Sequence, residues 1–351
     1  MTACTAARET IHPGELTARR GVARVAGLPP VRYEICGNPC GPAVVVLGGI
    51  SASRHVTSNE VDGRAGWWEH TVGGGCAIDT NELCVIGIDY VTAGRTTIVG
   101  DVRGRGAQAS GSKSRNARSI VTTFDQANAI TSVLDAISVR AAGAIVGASY
   151  GGMVALAFAE RYPERVERVV VISAAHESDP LTTTLRAIQR RIVRLAQDAG
   201  NSGEGVALAR ALAMTTYRTR AEFAQRFSNI PDWSGVEPVF PAEGYVIARG
   251  EDYAARTAPN DFVALTLSLD LHAVDPGRIR VPTTLIGIRE DALVPIEKMR
   301  ELQRSIGGAA NLVELSSIHG HDAFLADSAL LAPEIAKALA KSRITSSPLL
   351  S

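Results

Sequence analysis

The stretch GAIVGASYGGM (143–153) contains the pattern G-x-S-x-G, in which Ser149 lies between Gly147 and Gly151. A short run of small and β-branched apolar residues precedes the serine, as in a strand that is covered on both faces. The residues that follow, GGMVALAFAERYP (151–163), favour a helix that ends at its proline. A strand, a sharp turn and a helix in this order predict that Ser149 is an exposed nucleophile.

The two glycines of this pattern have a steric role. A strained turn brings the helix and the neighbouring strand close together, so that Cβ atoms at Gly147 and Gly151 would collide with them. The start of the helix would present free backbone N–H groups and a positive dipole end. We prefer this interpretation to the simpler one, a serine in an ordinary glycine-rich turn.

Other apolar, β-branched runs resemble the one before Ser149. They are VRYEIC (31–36), AVVVLGG (43–49), CVIGIDY (84–90), RVVVISA (168–174), TTLIGIR (283–289) and NLVELSS (311–317). Helical patterns lie between them, as in TTFDQANAITSVLDAI (122–137), where Thr122 or Thr123 is the candidate N-cap, and in APEIAKALAKS (332–342). Alternating strands and helices predict a mostly parallel sheet with helices on both faces.

The alternation stops in the second half of the chain, where TTTLRAIQRRIVRLAQ (182–197) and GEGVALARALAMTTY (203–217) have helical patterns. The Gly-, Ser- and Arg-rich segment 91–119 is expected to be a long mobile loop. We therefore predict an N-terminal extension, a core in two parts and a helical lid, with the respective ranges 1–30, 31–177 with 273–345, and 178–272.

Composition excludes several classes of protein. The 351 residues carry a formal net charge of zero without a basic run interleaved with aromatic residues, so we expect no nucleic-acid partner. No segment approaches 18 uninterrupted apolar residues and the N-terminus lacks a secretory pattern, so we expect no membrane partner. The five cysteines lack zinc-site spacing, which favours reduced thiols in a cytoplasmic protein without a metal.

A nucleophilic serine needs a base and a group that orients the base. In α/β-hydrolases an acid and then a histidine follow late strands. Asp291 follows TTLIGIR, with Glu290 as a close competitor, and His321 follows NLVELSS, with His319 beside it. The sequence thus predicts an α/β-hydrolase fold with a helical lid insertion and a triad that includes Ser149.

An oxyanion formed during attack by the serine needs two backbone N–H donors. One is expected to be the amide of Tyr150, the first residue after the nucleophile. The other is expected in the loop after AVVVLGG, where the candidates are Leu47, Gly48, Gly49 and Ile50.

Longer motifs resemble those of the homoserine O-acyltransferase family, the α/β-hydrolase-fold transferases of methionine biosynthesis. They are RAGWWEHTVGGGCAIDT (64–80), TTFDQANAI (122–130), GASYGGMVALAFAE (147–160), LARALAMTTYRT (208–219), REDALVP (289–295) and GHDAFL (320–325). The resemblance covers roughly residues 31–330. It implies Ser149 as the acyl-accepting nucleophile, Asp291 as the acid and His321, not His319, as the base.

The same resemblance implies how two substrates are handled. Leu47 and Tyr150 would donate to the oxyanion, while Arg210 would pair with the acceptor's carboxylate and Asp322 would hold its amino group. This agrees with physical chemistry, since an apolar pocket must pair both charges of an amino acid. An acyl-CoA would be a co-substrate in a ping-pong reaction, with no bound cofactor, and the resemblance implies a homodimer through the lid.

Some positions depart from the family pattern. Tyr150 stands where methionine is usual, and the branch reading G-A-S-Y-G-G-M is often linked to succinyl transfer. A succinyl carboxylate needs a cation, and the candidates on the first lid helix are Arg186, Arg190 and Arg191. Phe124 replaces a family arginine and segment 91–119 keeps little of the expected motif, so another hydroxy amino acid remains open as acceptor. An esterase or thioesterase with the same triad is the alternative, and a non-catalytic sensor is a third.

Overall fold

The computed structural model describes residues 18–93 and 120–340. Its strands in chain order are β1 (Arg19–Ala23), β2 (Val31–Gly37), β3 (Ala43–Leu47), β4 (Val72–Gly73), β5 (Ile78–Asp79), β6 (Cys84–Ile88), β7 (Ala144–Ala148), β8 (Val169–Ile172), β9 (Thr283–Ile288) and β10 (Ala310–Leu315). All seven apolar runs identified in the sequence form strands. Most of the predicted mobile loop 91–119, from residue 94 onward, lies outside the described residues, as do residues 1–17 of the predicted extension and 341–345 of the predicted core.

Within the described part of the chain, eight strands form one sheet in the order β1-β2-β6-β3-β7-β8-β9-β10. The strands from β6 to β10 in this order pair in parallel, whereas β1 and β2 are antiparallel to their neighbours. The mostly parallel sheet is therefore confirmed. Strand β1 lies inside the segment 1–30 that we expected to be an extension. Its sequence, RRGVA, is short and largely exposed, so it lacks the apolar signal of a buried strand.

The helices in chain order are α1 (Thr123–Ala136), α2 (Tyr150–Arg161), α3 (Pro180–Asp198), α4 (Ser202–Tyr217), α5 (Arg220–Arg226), α6 (Pro241–Ala254), α7 (Pro259–Asp270), α8 (Ile296–Ser305), α9 (Ala323–Ala326) and α10 (Ser328–Ala340). Helix α1 begins with a capping box, in which Thr122 and Asp125 each accept a hydrogen bond from the other's backbone N–H. Helix α2 begins immediately after the candidate nucleophile and stops before Pro163. No described helix is long and apolar enough to cross a membrane.

Helices cover both faces of the sheet, which explains the continuous apolar strands. On β3, Val45 and Leu47 belong to a core shared with α1, α2 and α8. The alternate residues Val44 and Val46 face a second core, which contains Trp68 and residues of α10. Successive side chains of a strand point to opposite faces, so a strand buried on both sides needs apolar residues at every position.

Helices α3 to α7 form an insertion between β8 and β9. They have a small apolar core of their own, to which Val193, Val206, Tyr253 and Phe262 contribute. The predicted limits of this unit, 178–272, and its action as a lid stay predictions. What the fold shows is that the insertion leaves the sheet at the carboxyl end of β8, the edge at which the candidate nucleophile also lies.

Candidate active site

Ser149 lies on a strained turn between β7 and α2. Its backbone φ is 54° and its ψ is −120°, in a region that residues other than glycine rarely adopt. A Cβ atom at Gly147 would lie 2.2 Å from the carbonyl oxygen of Gly151, and one at Gly151 would lie 2.4 Å from that of Leu47. The expected steric role of both glycines is thus present, and the turn holds the serine above the sheet edge.

The three predicted triad residues meet at this turn. His321 Nε2 is 2.8 Å from Ser149 Oγ, and His321 Nδ1 is 2.7 Å from Asp291 Oδ2. With Nδ1–H donating to the carboxylate, Nε2 is free to accept the serine proton. The other oxygen of Asp291 accepts backbone N–H groups from Leu293 and Val294, so the loop after β9 fixes the carboxylate.

The environment of His321 sets its basicity. Burial disfavours the charged imidazolium, but the charge and hydrogen bond of Asp291, with a further contribution from Asp322, raise the pKa of His321 above its ordinary 6.5. The positive charge of Arg186 acts in the opposite direction. Burial, two carboxylates and one guanidinium therefore tune the group that would accept the proton from Ser149.

The competing residues have other positions. Glu290 accepts hydrogen bonds from the hydroxyl of Ser316 and, at 2.9 Å, from the backbone N–H of Ser317, and so ties two loops together. His319 directly precedes the short turn Gly320–Asp322, its backbone N–H donates to Ser317 Oγ at 3.3 Å, and among the described residues it forms no hydrogen bond with Ser149. The geometry thus separates the triad candidates from their neighbours in sequence, although both pairs are only one or two residues apart.

The amide of Tyr150 lies at the first turn of α2. The amides on either side of it are engaged, that of Ser149 with Ile172 O at 2.8 Å and that of Gly151 with Gly48 O at 2.9 Å. The amide of Tyr150 has no such acceptor in the part of the chain that the structure describes. It is therefore free to donate to a group that binds next to Ser149.

The second donor was expected in the loop after β3. Leu47 is the last residue of β3 and its side chain is buried, whereas Gly49 and Ile50 line the cavity in front of Ser149. The structure therefore brings this loop and Tyr150 together, with Gly49 and Ile50 nearest to the open space. The role of Leu47 stays a prediction.

A cavity of about 310 Å³ lies in front of the serine. Core and insertion both line it: Ser149 and His321 come from the sheet side, while Arg186 and Arg210 come from α3 and α4. Trp67 forms another part of the wall. It is the first of the two tryptophans in RAGWWEHTVGGGCAIDT (64–80), the motif called the GWW block below. A pocket of this size that is shared by two structural units accommodates a small organic substrate.

Arg210 and Asp322 both line this cavity. The guanidinium of Arg210 lies 4.9 Å from the ring centroid of Tyr217 and 4.8 Å from that of Tyr253, and its Nη1 donates to Tyr217 Oη at 3.1 Å. The aromatic rings hold the cation without neutralising it. Asp322 is buried and accepts a hydrogen bond of 3.1 Å from Arg218 Nε.

The three candidate cations of α3 differ from one another. Arg186 lines the cavity, and its Nε is 2.5 Å from Asp270 Oδ1. Arg190 is buried and its Nη2 is 2.6 Å from Asp270 Oδ2, whereas Arg191 is exposed. Because two guanidiniums share one carboxylate, this cluster keeps an excess positive charge beside the cavity.

Two of the motifs that carry the family resemblance, RAGWWEHTVGGGCAIDT (64–80) and GHDAFL (320–325), contact each other. The indole N–H of Trp68 donates to the carbonyl oxygen of Phe324 at 2.7 Å, so the GWW block supports the segment GHDAFL that carries His321. Trp67 stacks on Trp68 with ring centroids 5.1 Å apart and presents its other side to the cavity. The pairing explains why these segments, far apart in sequence, belong to one site.

Sequence reasoning missed several residues of this site. Asp270 has no local motif, and it reaches Arg186 across 84 positions. Arg218 lies inside the quoted motif LARALAMTTYRT, but its pairing with Asp322 has no signal in the spacing. Tyr253, which packs on Arg210, falls outside every motif. Such long-range side-chain pairs become visible only when the insertion is folded onto the core.

The fold and this arrangement define a class of protein. A parallel sheet, a serine on a strained strand–helix turn, and an acid and a histidine after later strands are the features of the α/β-hydrolase class. The sequence model of the family described as alpha/beta hydrolase fold matches residues 42–327. The chain therefore belongs to that fold family.

Comparison with known proteins narrows the family further. The chain is 37% identical over 295 residues to a homoserine O-succinyltransferase of Xanthomonas campestris pv. campestris, covering 84% of this chain and 74% of that protein. It is 32% identical to a serine O-succinyltransferase of Litchfieldella anticariensis, covering 94% and 97% of the two chains. The crystal structure of a homoserine O-acetyltransferase from Bacillus anthracis superposes with a TM-score of 0.76 at 19% identity, covering 95% and 99%.

The last likeness shows the fold alone, because the identity is low. The first two show the family, and the chain belongs to the homoserine O-acyltransferase family, whose members are acyltransferases. The resemblance inferred from the sequence motifs is thereby confirmed.

Proposed function

We propose that this protein is an acyl-CoA-dependent O-acyltransferase that works by a ping-pong mechanism through an acyl-Ser149 intermediate. The acceptor is the hydroxyl group of homoserine or a related hydroxy amino acid. One observation carries the proposal: a single cavity holds the hydrogen-bonded Ser149 and His321 together with Arg210 and Asp322. A cation and an anion at one site suit a zwitterionic acceptor, and water does not need them.

In the first half-reaction, Ser149 Oγ attacks the thioester carbon while His321 Nε2 takes the hydroxyl proton. The oxyanion accepts hydrogen bonds from the amide of Tyr150 and from one amide of the loop after β3, for which Leu47 remains the family-based choice. The C–S bond then breaks, and the CoA sulfur leaves with the proton from His321. Asp291 orients the imidazole throughout and stabilises its charge.

In the second half-reaction, the amino acid replaces CoA in the same cavity. Arg210 pairs with its carboxylate, a geometry that suits a planar guanidinium, and Asp322 accepts from its ammonium group. His321 takes the proton of the acceptor hydroxyl, which attacks the acyl carbon, and Ser149 recovers its proton as the ester leaves. The insertion acts as a lid that keeps water away from the acyl-enzyme, in accord with its contribution to the cavity wall.

For the acyl donor we propose a preference for succinyl over acetyl. Arg186 lines the cavity in a cluster with excess positive charge, and that charge is felt by His321. A donor whose acyl chain ends in a carboxylate gains a charge-assisted hydrogen bond there, which an acetyl group does not.

We also propose that the chain forms a homodimer through the insertion. Leu181, Ile188 and Leu195 of α3 are exposed by 65%, 46% and 67% of their surface. Their spacing of seven residues places them on one face of the helix, as in a helix-pairing seam. Sedimentation velocity should give a dimer for the wild type and a monomer for Ile188→Lys with Leu195→Lys, and a monomeric wild type would contradict the proposal.

The test of the proposed function has two steps. Mixing the protein with an acyl-CoA but no acceptor should release CoA and add one acyl group to Ser149, as read by intact mass and peptide mapping. Ser149→Ala should abolish the adduct, while Ser132→Ala, which removes the hydroxyl of a serine on α1, should retain it. Acyl transfer by Ser149→Ala within tenfold of wild type would exclude Ser149 as the nucleophile.

The second step identifies the substrates. Acetyl-CoA and succinyl-CoA are each combined with homoserine and serine, and the products are measured by mass. We expect an acyl ester of the amino acid, with succinyl-CoA and one of the two acceptors reacting fastest. Free acid formed at the same rate with or without an acceptor would instead identify a hydrolase with the same triad.

A further inference from the structure

Tyr150 has a side chain as well as the amide considered above. The ring is fully buried, and its hydroxyl oxygen lies 2.7 Å from Ser268 Oγ of α7. Gln126 Nε2 of α1 donates to the same oxygen at 3.2 Å. Since the tyrosine oxygen accepts from Gln126, its proton is available for Ser268. One residue of the nucleophile turn is thus fastened both to the core and to the last helix of the insertion.

The partners of Tyr150 are fixed in their turn. The side-chain amide of Gln126 donates to Val91 O at 2.8 Å and accepts from Val91 N at 3.0 Å, which satisfies both of its ends. Ser268 is fully buried on α7. Burial raises the pKa of the Tyr150 phenol above its ordinary value, so the hydroxyl keeps its proton. A buried network without solvent access has little freedom to rearrange.

The network also reaches the opposite side of the oxyanion site. The ring of Tyr90 packs edge-on against that of Tyr150, with centroids 4.8 Å apart. The hydroxyl of Tyr90 donates to Gly48 O at 2.6 Å, and this carbonyl also accepts from the amide of Gly151. Gly48 adjoins both Leu47 and Gly49, so the loop after β3 and the start of α2 share one support.

We propose that the hydroxyl of Tyr150 is a positioning group that sets the oxyanion donors and couples them to the position of helix α7. The proposal rests on the proposed function in so far as Ser149 is a nucleophile. A shift of α7 would be passed through Ser268 to the residue whose own amide faces the reacting group. The insertion thus influences the chemical step as well as the shape of the cavity.

The experiment compares the tyrosines at the two ends of α2, namely Tyr150, its first residue, and Tyr162, which directly follows its last residue. Tyr150→Phe removes the hydroxyl at the start of α2. Tyr162→Phe removes one at its end, where the hydroxyl donates to Asn128 Oδ1 of α1 at 2.7 Å, far from the oxyanion site. Each change deletes a hydrogen bond to α1, and Tyr150→Phe also deletes the bond to Ser268 of α7, which is the contact under test.

The readout is the second-order rate at which a fluorophosphonate labels Ser149. The reagent forms an O–P bond with loss of fluoride and needs the oxyanion donors but no acyl-CoA. We expect Tyr150→Phe to lower this rate about tenfold, less than the loss of a whole donor, and Tyr162→Phe to stay within about twofold. Ser268→Ala should resemble Tyr150→Phe, and the double variant should be no slower than either, because the two groups act as one unit.

Thermal unfolding separates positioning from simple support. A fall in melting temperature for Tyr150→Phe with an unchanged labelling rate would overturn the proposal, as would additive effects of Tyr150→Phe and Ser268→Ala. If wild-type Ser149 is not labelled at all, the nucleophile itself is refuted, and the proposed function fails together with this inference. Labelling of wild type and Tyr150→Phe at equal rates refutes the inference alone.

Discussion

The sheet domain, which is the described chain outside helices α3 to α7, and the helical insertion position their cavity-lining side chains by different means. In the sheet domain, Ser149, Asp291 and His321 follow strands β7, β9 and β10, and backbone geometry and short loops set their positions. In the insertion, Arg186 and Arg210 depend on side-chain partners, an ion pair with Asp270 in one case and aromatic rings in the other. The first arrangement suits chemistry that must be exact, and the second suits recognition that can change between relatives.

The largest expected effect separates two adjacent carboxylates of the sheet domain. Asp291→Asn should lower kcat by roughly 10⁴, because an amide no longer holds His321 in the tautomer that accepts the serine proton. Glu290→Gln, one residue away, should lower it less than tenfold, since Glu290 bonds Ser316 and Ser317 and not the histidine. The measurement is CoA release under saturating acyl-CoA, and similar losses in both variants would refute the assignment of the acid.

A smaller effect is expected from the insertion. Arg186→Met should lower kcat/KM for succinyl-CoA about 30-fold through loss of a charge-assisted hydrogen bond, and leave acetyl-CoA nearly unchanged. Asp270 keeps Arg190 as a partner in this variant. Arg191→Met, an exposed change on the same helix, is the matched control. Equal losses with both donors would show that Arg186 supports the insertion and does not read the acyl chain.

The same contrast explains what the sequence could predict. The proximity of Ser149, Asp291 and His321 could be predicted because each lies in the loop that follows an apolar strand, and parallel strands bring their carboxyl ends to one edge. Strand β1 could not be predicted, because an exposed edge strand such as RRGVA lacks the apolar pattern of a buried strand. The sequence also could not predict the pairs Arg186–Asp270 and Arg218–Asp322, since an ion pair between helices and loops that are far apart in the chain leaves no periodic pattern in the sequence. Arg210 and Asp322 were identified only through the family resemblance, and their roles stay predictions.

The smallest expected effects concern the pKa of His321, on which charges from both the sheet domain and the insertion act. In the proposed mechanism Ser149 reacts only when His321 is neutral, so its labelling by a fluorophosphonate should rise with pH around the pKa of His321, which is raised above 6.5. Asp322 favours the imidazolium, and Asp322→Asn should therefore lower this pKa and move the rise in rate to lower pH. Arg186 disfavours the imidazolium, and Arg186→Met should move the rise to higher pH.

Arg218 retains Glu222 as a partner when Asp322 is neutral, which limits structural side effects. Rates measured between about pH 5 and 9 test the signs, since the method needs neither acyl donor nor acceptor. Shifts of the same direction in both variants would mean that structural change, and not the charge of each region, controls His321.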